Sequence, residues 1–175
     1  GRLIQETAAE RTEISFAAAS RDSRFVVSMP FQSRARIWDA RTGRPRGSGF
    51  GDSLLVTDAR FSSDSRFLVM GTREGTTRLW NPLTGEPISE VFEHEGPIES
   101  IDLSPDDQTV ATGSQDGTAR LWDVRMQVPQ RPVIPLHGRP FAIEFSPDST
   151  LMILAAGSVA HLYDARTGGA PTLAF

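Results

Sequence analysis

Four copies of one all-β unit, each the length of a four-stranded propeller blade, are what this sequence predicts, on three observations. Aromatic residues stand at Trp38, Trp80, Trp122 and Tyr163, spaced by 42, 42 and 41 residues. A fixed period in that range is the signature of a repeat architecture. The wording around the aromatics repeats as well: RIWDARTG from Arg36, RLWNPLTG from Arg78, RLWDVRMQ from Arg120 and HLYDARTG from His161. Helical periodicity is missing throughout, and short alternating runs bounded by turn residues take its place.

The stretch from Glu99 to Asp123 is the best-formed unit. Ser100–Leu103 reads as a first strand, followed by Ser104-Pro105-Asp106-Asp107, whose Ser and Pro suit the first two positions of a type I turn. Thr109–Ser114 is rich in small and β-branched residues and reads as the second strand. Asp116-Gly117 signals a hairpin, because Gly takes positive φ without steric cost. Thr118–Trp122 alternates again and makes the third strand. The other copies carry Ser62-Ser63-Asp64-Ser65 and Ser146-Pro147-Asp148-Ser149 in the first turn. Thr42-Gly43, Thr84-Gly85 and Thr167-Gly168 close the third strand. A short outer strand such as Pro87–Val91 is expected after each.

DGTARLWD from Asp116, preceded by SPDD and ATGS, resembles the WD-repeat β-propellers, in their bacterial style. The resemblance covers essentially the whole chain as four repeats, at about 1–42, 43–84, 85–126 and 127–167, with an outer strand over 168–175. It implies an all-β propeller of four-stranded blades forming part of a larger ring, and a structural tetrad of His94, Thr112, Asp116 and Trp122. A buried indole N–H needs an acceptor. Thr112 can supply it and pass a hydrogen bond to His94, whose other nitrogen can face Asp116. The matching positions before Trp80 are Asp52, Met70 and Glu74, and before Trp38 they are Glu10, Ser28 and Gln32. In the last repeat Tyr163 replaces Trp and Leu136 aligns with His94, with His137 one residue along.

Composition narrows the function. No apolar run approaches the ~18 residues that span a bilayer, and no signal peptide is visible. Cysteine is absent, which removes disulfides, thiol nucleophiles and zinc fingers. All 18 basic residues are arginine, which excludes lysine chemistry. A net charge of −4 argues against nucleic acid and acidic membranes as partners. These features together read as cytoplasmic. Charge is uneven: residues 1–78 carry 13 Arg against 9 acids, residues 79–119 no Arg and 9 acids, and residues 120–175 5 Arg against 4 acids.

The acidic third repeat admits two readings. Glu90, Glu93, Glu95 and Glu99 form either a solvated face or a docking patch for a basic partner. The hairpin positions Phe31, Arg73 and Gln115 belong to the rim that the resemblance assigns to peptide binding. Several features imitate chemistry. His94 and Asp116 with Ser114 or Thr112 mimic a nucleophile–base–acid set, but the resemblance places them in the interior. Asp106 and Asp107 read as turn residues bonding their own backbone. Asp58, Asp102 and Glu144, taken as matching positions before Phe61, Leu103 and Phe145, could ring a channel and hold a cation.

Gly1–Glu6 aligns with Gly85–Glu90, so the chain is expected to open on an outer strand of a preceding blade. A segment of a longer protein, two copies sharing one eight-bladed ring and a small closed ring all fit that frame. The function expected is a non-catalytic protein–protein interaction scaffold within a regulatory or sensory protein, without cofactor or metal. The alternatives are a cation-binding or enzymatic propeller and a purely structural oligomerisation unit.

Overall fold

The structure is a computed structural model and describes residues 13–30, 34–50, 55–169 and 173–174. Among these, sixteen strands form four antiparallel sheets of four strands each. Blade 1 holds β1 (Ile14–Ala19), β2 (Phe25–Pro30), β3 (Ala35–Asp39) and β4 (Pro45–Phe50). Blade 2 holds β5 (Val56–Phe61), β6 (Leu68–Thr72), β7 (Thr76–Trp80) and β8 (Phe92–Glu93). Blade 3 holds β9 (Ile98–Leu103), β10 (Thr109–Ser114), β11 (Thr118–Asp123) and β12 (Val128–Pro135). Blade 4 holds β13 (Pro140–Phe145), β14 (Leu151–Ala156), β15 (Val159–Asp164) and β16 (Leu173–Ala174).

Each sheet is an up-and-down meander, because consecutive strands are joined by connections short enough only for antiparallel neighbours. The first turn closes through a Ser hydroxyl: Ser104 Oγ donates to Asp106 at 2.6 Å, and the Asp107 N–H donates to the Ser104 carbonyl at 2.8 Å. The residue after the Asp is left-handed in every copy, with φ near 60° at Ser23, Ser65, Asp107 and Ser149.

Asp107 does more than turn the chain. Its carboxylate accepts the Ser63 N–H at 2.8 Å and the Ser63 hydroxyl at 2.6 Å, so it clamps the preceding blade's turn. The expectation that it would bond its own backbone is corrected on that point. Ser149 and Ser65 repeat the device, accepting the N–H of Asp106 and of Asp22.

Blade 2 departs from expectation at its edge. The outer strand is Phe92–Glu93, paired with Thr76 and Thr77, while the expected strand at Pro87–Val91 is reduced to one bridge between Trp80 and Pro87. Phe92 is the reason. It is 2% exposed and stacks on Trp122 with ring centroids 4.9 Å apart, so burial fixes which residues lie against the blade.

Three apolar clusters join neighbouring blades. Val27 and Ile37 pack with Ala59 and Leu68 between blades 1 and 2. Val69 and Leu79 pack with Ile101 and Val110 between blades 2 and 3. Ala111 and Leu121 pack with Ile143 and Met152 between blades 3 and 4. No comparable packing joins blade 4 to blade 1 among the described residues, so the four sheets form an arc. Its concave side encloses about 450 Å³, lined by all four inner strands through residues that include Ala18, Arg60, Asp102 and Phe145.

Candidate functional site

Blade 3 contains a continuous chain of hydrogen bonds. The Trp122 indole N–H donates to Thr112 Oγ1 at 2.8 Å. His94 Nε2 lies 2.7 Å from the same hydroxyl, and Nδ1 lies 2.8 Å from Asp116 Oδ2. Only the Nδ1–H tautomer of neutral His94 satisfies every member. Thr112 then accepts from Trp122 and donates to Nε2, and Nδ1–H donates to the carboxylate.

Asp116 also accepts the N–H groups of Thr118 and Glu95, at 2.8 and 3.1 Å. Burial alone would raise its carboxyl, but the Thr118 hydroxyl, His94 and the Glu95 N–H together hold it below the ordinary value. Burial lowers the His94 imidazole, against the pull of Asp116 in the other direction. The His94 side chain is 0% exposed, so no substrate atom reaches it. The resemblance to a catalytic triad ends at that number.

The lowered His94 value makes a prediction with a defined sign. Above pH 6.5, the ordinary imidazole value, both folded and unfolded chains hold the ring neutral and the contribution is fully present. As pH falls below 6.5 the unfolded chain takes up the proton first, so stability declines toward the lower folded value. His94→Ala should flatten that slope in urea unfolding between pH 5 and 7. It should also cost about 1–3 kcal/mol at pH 7, because Asp116 and Thr112 lose their partner. An unchanged slope and midpoint would contradict the network.

The rim beside this network is built from hairpin ends. Gln115 and Arg139 both bond the Glu99 carboxylate, the latter at 2.6 Å. Phe141, 65% exposed, lies with Glu99, Arg139 and Gly157 around a shallow recess of about 420 Å³. Glu95 is exposed next to Asp116, and Arg73 is exposed at the corresponding hairpin of blade 2, its N–H bonded to the Leu55 carbonyl.

The WD domain, G-beta repeat, matches residues 44–81 and 85–123. These two stretches are WD repeats. Each matched stretch begins with the outer-strand segment of one blade and ends with the third strand of the next, as the sequence repeats do. No curated protein sequence is significantly similar to the chain. Among solved structures, the computationally designed Ika4 protein superposes with a TM-score of 0.80 at 22% identity, over 94% of this chain and 98% of that one. The computationally designed Ika8 protein gives 0.81 at 20% identity, over 97% of this chain and 51% of that one.

The other repeats keep less of the network. In blade 1 the Trp38 indole donates to Ser28 at 2.8 Å. In blade 2 Met70 occupies the Thr112 position, and in blade 4 Leu154 does so beside Tyr163. Leu136, not His137, takes the place of His94: the Leu136 N–H bonds the Gly117 carbonyl as the His94 N–H bonds that of Gly75. His137 is exposed.

The four glutamates do not form one patch. The Glu90 N–H bonds the side chain of Gln127, beyond the far end of β11, whereas the Glu95 N–H bonds Asp116 at the near end. Six residues of strand, roughly 20 Å, separate those ends. Glu93 is exposed on the outer strand, and its carbonyl takes the Arg120 guanidinium at 2.9 Å. Glu99 is largely covered and neutralised by Arg139. Phe31 lies outside the described residues.

Of the inner-strand carboxylates, Asp102 and Glu144 stand at matching positions, but Asp58 does not. Asp58 pairs with Gly71, and Asp102 with Ala111, so Arg60 is the true counterpart of Asp102. Asp58 accepts the Ile101 N–H at 2.9 Å, and Asp102 accepts that of Phe145 at 2.8 Å. Arg60 lies 2.6 Å from Asp58 and 3.6 Å from Asp102. Both carboxyls are raised by burial, against Arg60 and backbone N–H donors at Asp58 and chiefly backbone donors at Asp102. Their oxygens join blade to blade. Among the described residues no three His, Asp or Glu side chains converge as a metal-binding set.

Proposed function

We propose that this chain is a non-catalytic protein-binding module whose hairpin rim takes a peptide segment with an apolar side chain next to a basic one. WD repeats generally mediate protein–protein interaction, and loops on a rigid scaffold are where binding residues gather. The observation that carries the reading is Phe141, a large aromatic side chain 65% exposed beside the fixed Glu99–Arg139 pair. An exposed aromatic with an immobilised polar neighbour has the makings of a binding hot spot. Glu95, exposed on the same rim, supplies the negative charge a basic residue would meet.

The catalytic alternative has little to stand on, since His94 and Thr112 are buried and the inner carboxylates are engaged with backbone. A displayed peptide library selected against the chain tests the proposal. Enriched peptides should carry an aromatic or aliphatic residue within a few positions of Arg or Lys. Phe141→Ala should weaken their binding at least tenfold, and Glu95→Arg should slow association. Binders indifferent to both substitutions would overturn the rim as the site.

A further inference from the structure

Blades 2, 3 and 4 build the hairpin between their second and third strands on one plan, with one difference. The first loop residue is Arg73, Gln115 or Gly157, and its N–H bonds the carbonyl of Leu55, Pro97 or Arg139. Those acceptors stand 42 residues apart, so the three loop residues are equivalent. In blades 2 and 3 the loop has three residues and ends on Gly75 or Gly117, each with a positive φ of 83°. The first position is then free to carry a side chain. In blade 4 Ala156 pairs directly with Val159, and only Gly157 and Ser158 lie between them. The positive φ moves to the first position, 62° at Gly157, where a two-residue hairpin favours glycine. The shorter loop therefore puts no side chain on the rim at that point.

The consequence lies one strand inward. Each inner strand carries a bulge, whose extra residue is Thr57 in β5, Glu99 in β9 and Phe141 in β13. The Thr57 hydroxyl donates to the Gly71 carbonyl. The Glu99 side chain is 16% exposed, covered by Gln115 from its own hairpin and by Arg139. At blade 4 the position of Gln115 belongs to Gly157, and Phe141 stays 65% exposed. The glycine is hemmed in: a Cβ on it would stand 2.9 Å from the His137 carbonyl oxygen, and one on Gly138 would stand 2.9 Å from the Gly157 Cα. The recess that results lies over the seam between blades 3 and 4. Glu99 lines it from blade 3, and Arg139, Phe141 and Gly157 line it from the entry and hairpin of blade 4.

We propose that Gly157 is the specificity-determining residue of the rim, and that the recess it leaves open takes an aromatic side chain of the bound peptide in preference to an aliphatic one. The inference rests on the rim being the protein-binding surface and adds what that surface selects. An aromatic ring packs on Phe141 by stacking or edge to face. Its negative face suits the Arg139 guanidinium, and its positive edge suits the Glu99 carboxylate. A leucine or valine side chain offers the same three neighbours nothing but apolar area.

The test is fluorescence anisotropy with a fluorescein-labelled synthetic copy of a peptide selected against the wild-type chain. Selected peptides that lack an aromatic residue overturn the proposal at once. With the aromatic residue changed to Leu, the peptide should bind the wild-type chain about fivefold more weakly, and with Ala more weakly still. Gly157→Gln copies the cover of blade 3 and should weaken the original peptide about tenfold or more. Gly157→Ala shares the backbone strain and the contact with His137 but leaves the recess open, so it should bind close to wild type. Circular dichroism checks that both variants fold. If Phe141→Ala weakens the peptide while the Gln and Ala variants bind alike, this inference falls and the rim as binding surface stands. If Phe141→Ala changes nothing, both fall. Equal affinities for the Trp, Phe, Leu and Ala peptides on the wild-type chain overturn the proposal even where Gly157→Gln does not fold.

Discussion

Trp122→Ala is expected to cost about 3–5 kcal/mol of folding stability, the range for emptying a buried aromatic site. The ring is 4% exposed and works in two directions at once. Its face stacks on Phe92 with an 8° interplanar angle, tying blade 3 to the outer strand of blade 2. Its N–H holds Thr112, and through it His94 and Asp116. Truncation leaves a cavity at a blade interface and unsettles a hydroxyl that has no water to turn to. For a domain of this size a loss of that magnitude lowers Tm on the order of 10 °C. A thermal melt showing a shift of only a degree or two would mean that Trp122 does not tie the two blades together.

The second large effect separates two glycines with the same backbone. Gly75 and Gly117 both have φ of 83° at equivalent hairpins, so a Cβ meets the same left-handed strain at each. Their surroundings differ. A Cβ on Gly75 would stand 2.6 Å from the His94 carbonyl oxygen and 2.7 Å from that of Gly96, while one on Gly117 meets nothing within 4 Å. Gly117→Ala should therefore cost about 1–2 kcal/mol from the backbone alone. Gly75→Ala adds an overpacking cost of about 1–3 kcal/mol, because the obstructing atoms are backbone and cannot rotate away. It also pushes on the loop that carries His94. Urea midpoints of the two variants measure the difference, and equal losses would show that the hairpin of blade 2 does not press on the loop of blade 3.

What could be read from the sequence was whatever the period repeats. The 42-residue spacing set the blades, and Thr109–Ser114 is the second strand of blade 3 as its small and β-branched residues indicated. The positions of His94, Thr112 and Asp116 relative to Trp122 followed from spacing matched to the family pattern. Features that depend on the neighbouring blade were not legible. Asp58 and Asp102 are two residues out of register, one full strand period, so both point toward the next blade and pass for equivalents.

Phe92 outcompeted Ile88 and Val91 for the blade edge because Trp122, from another repeat, offers it a face; the losers stay 45% and 38% exposed. Phe141 drew no attention because a lone Phe in a β-rich run reads as core. Only the packing of its neighbours shows it uncovered. Glu99 misled in the opposite sense, looking like free charge until Arg139, 40 residues on, was placed beside it.

Amide chemical-shift mapping with a peptide enriched against the chain tests the binding account most directly. Shifts centred on Glu95, Gln115, Arg139, Phe141 and Gly157, with His94 and Trp122 unmoved, are the result it predicts. Shifts confined to the opposite end, around Ser63, Pro105 and Asp107, would contradict the rim as the protein-binding surface.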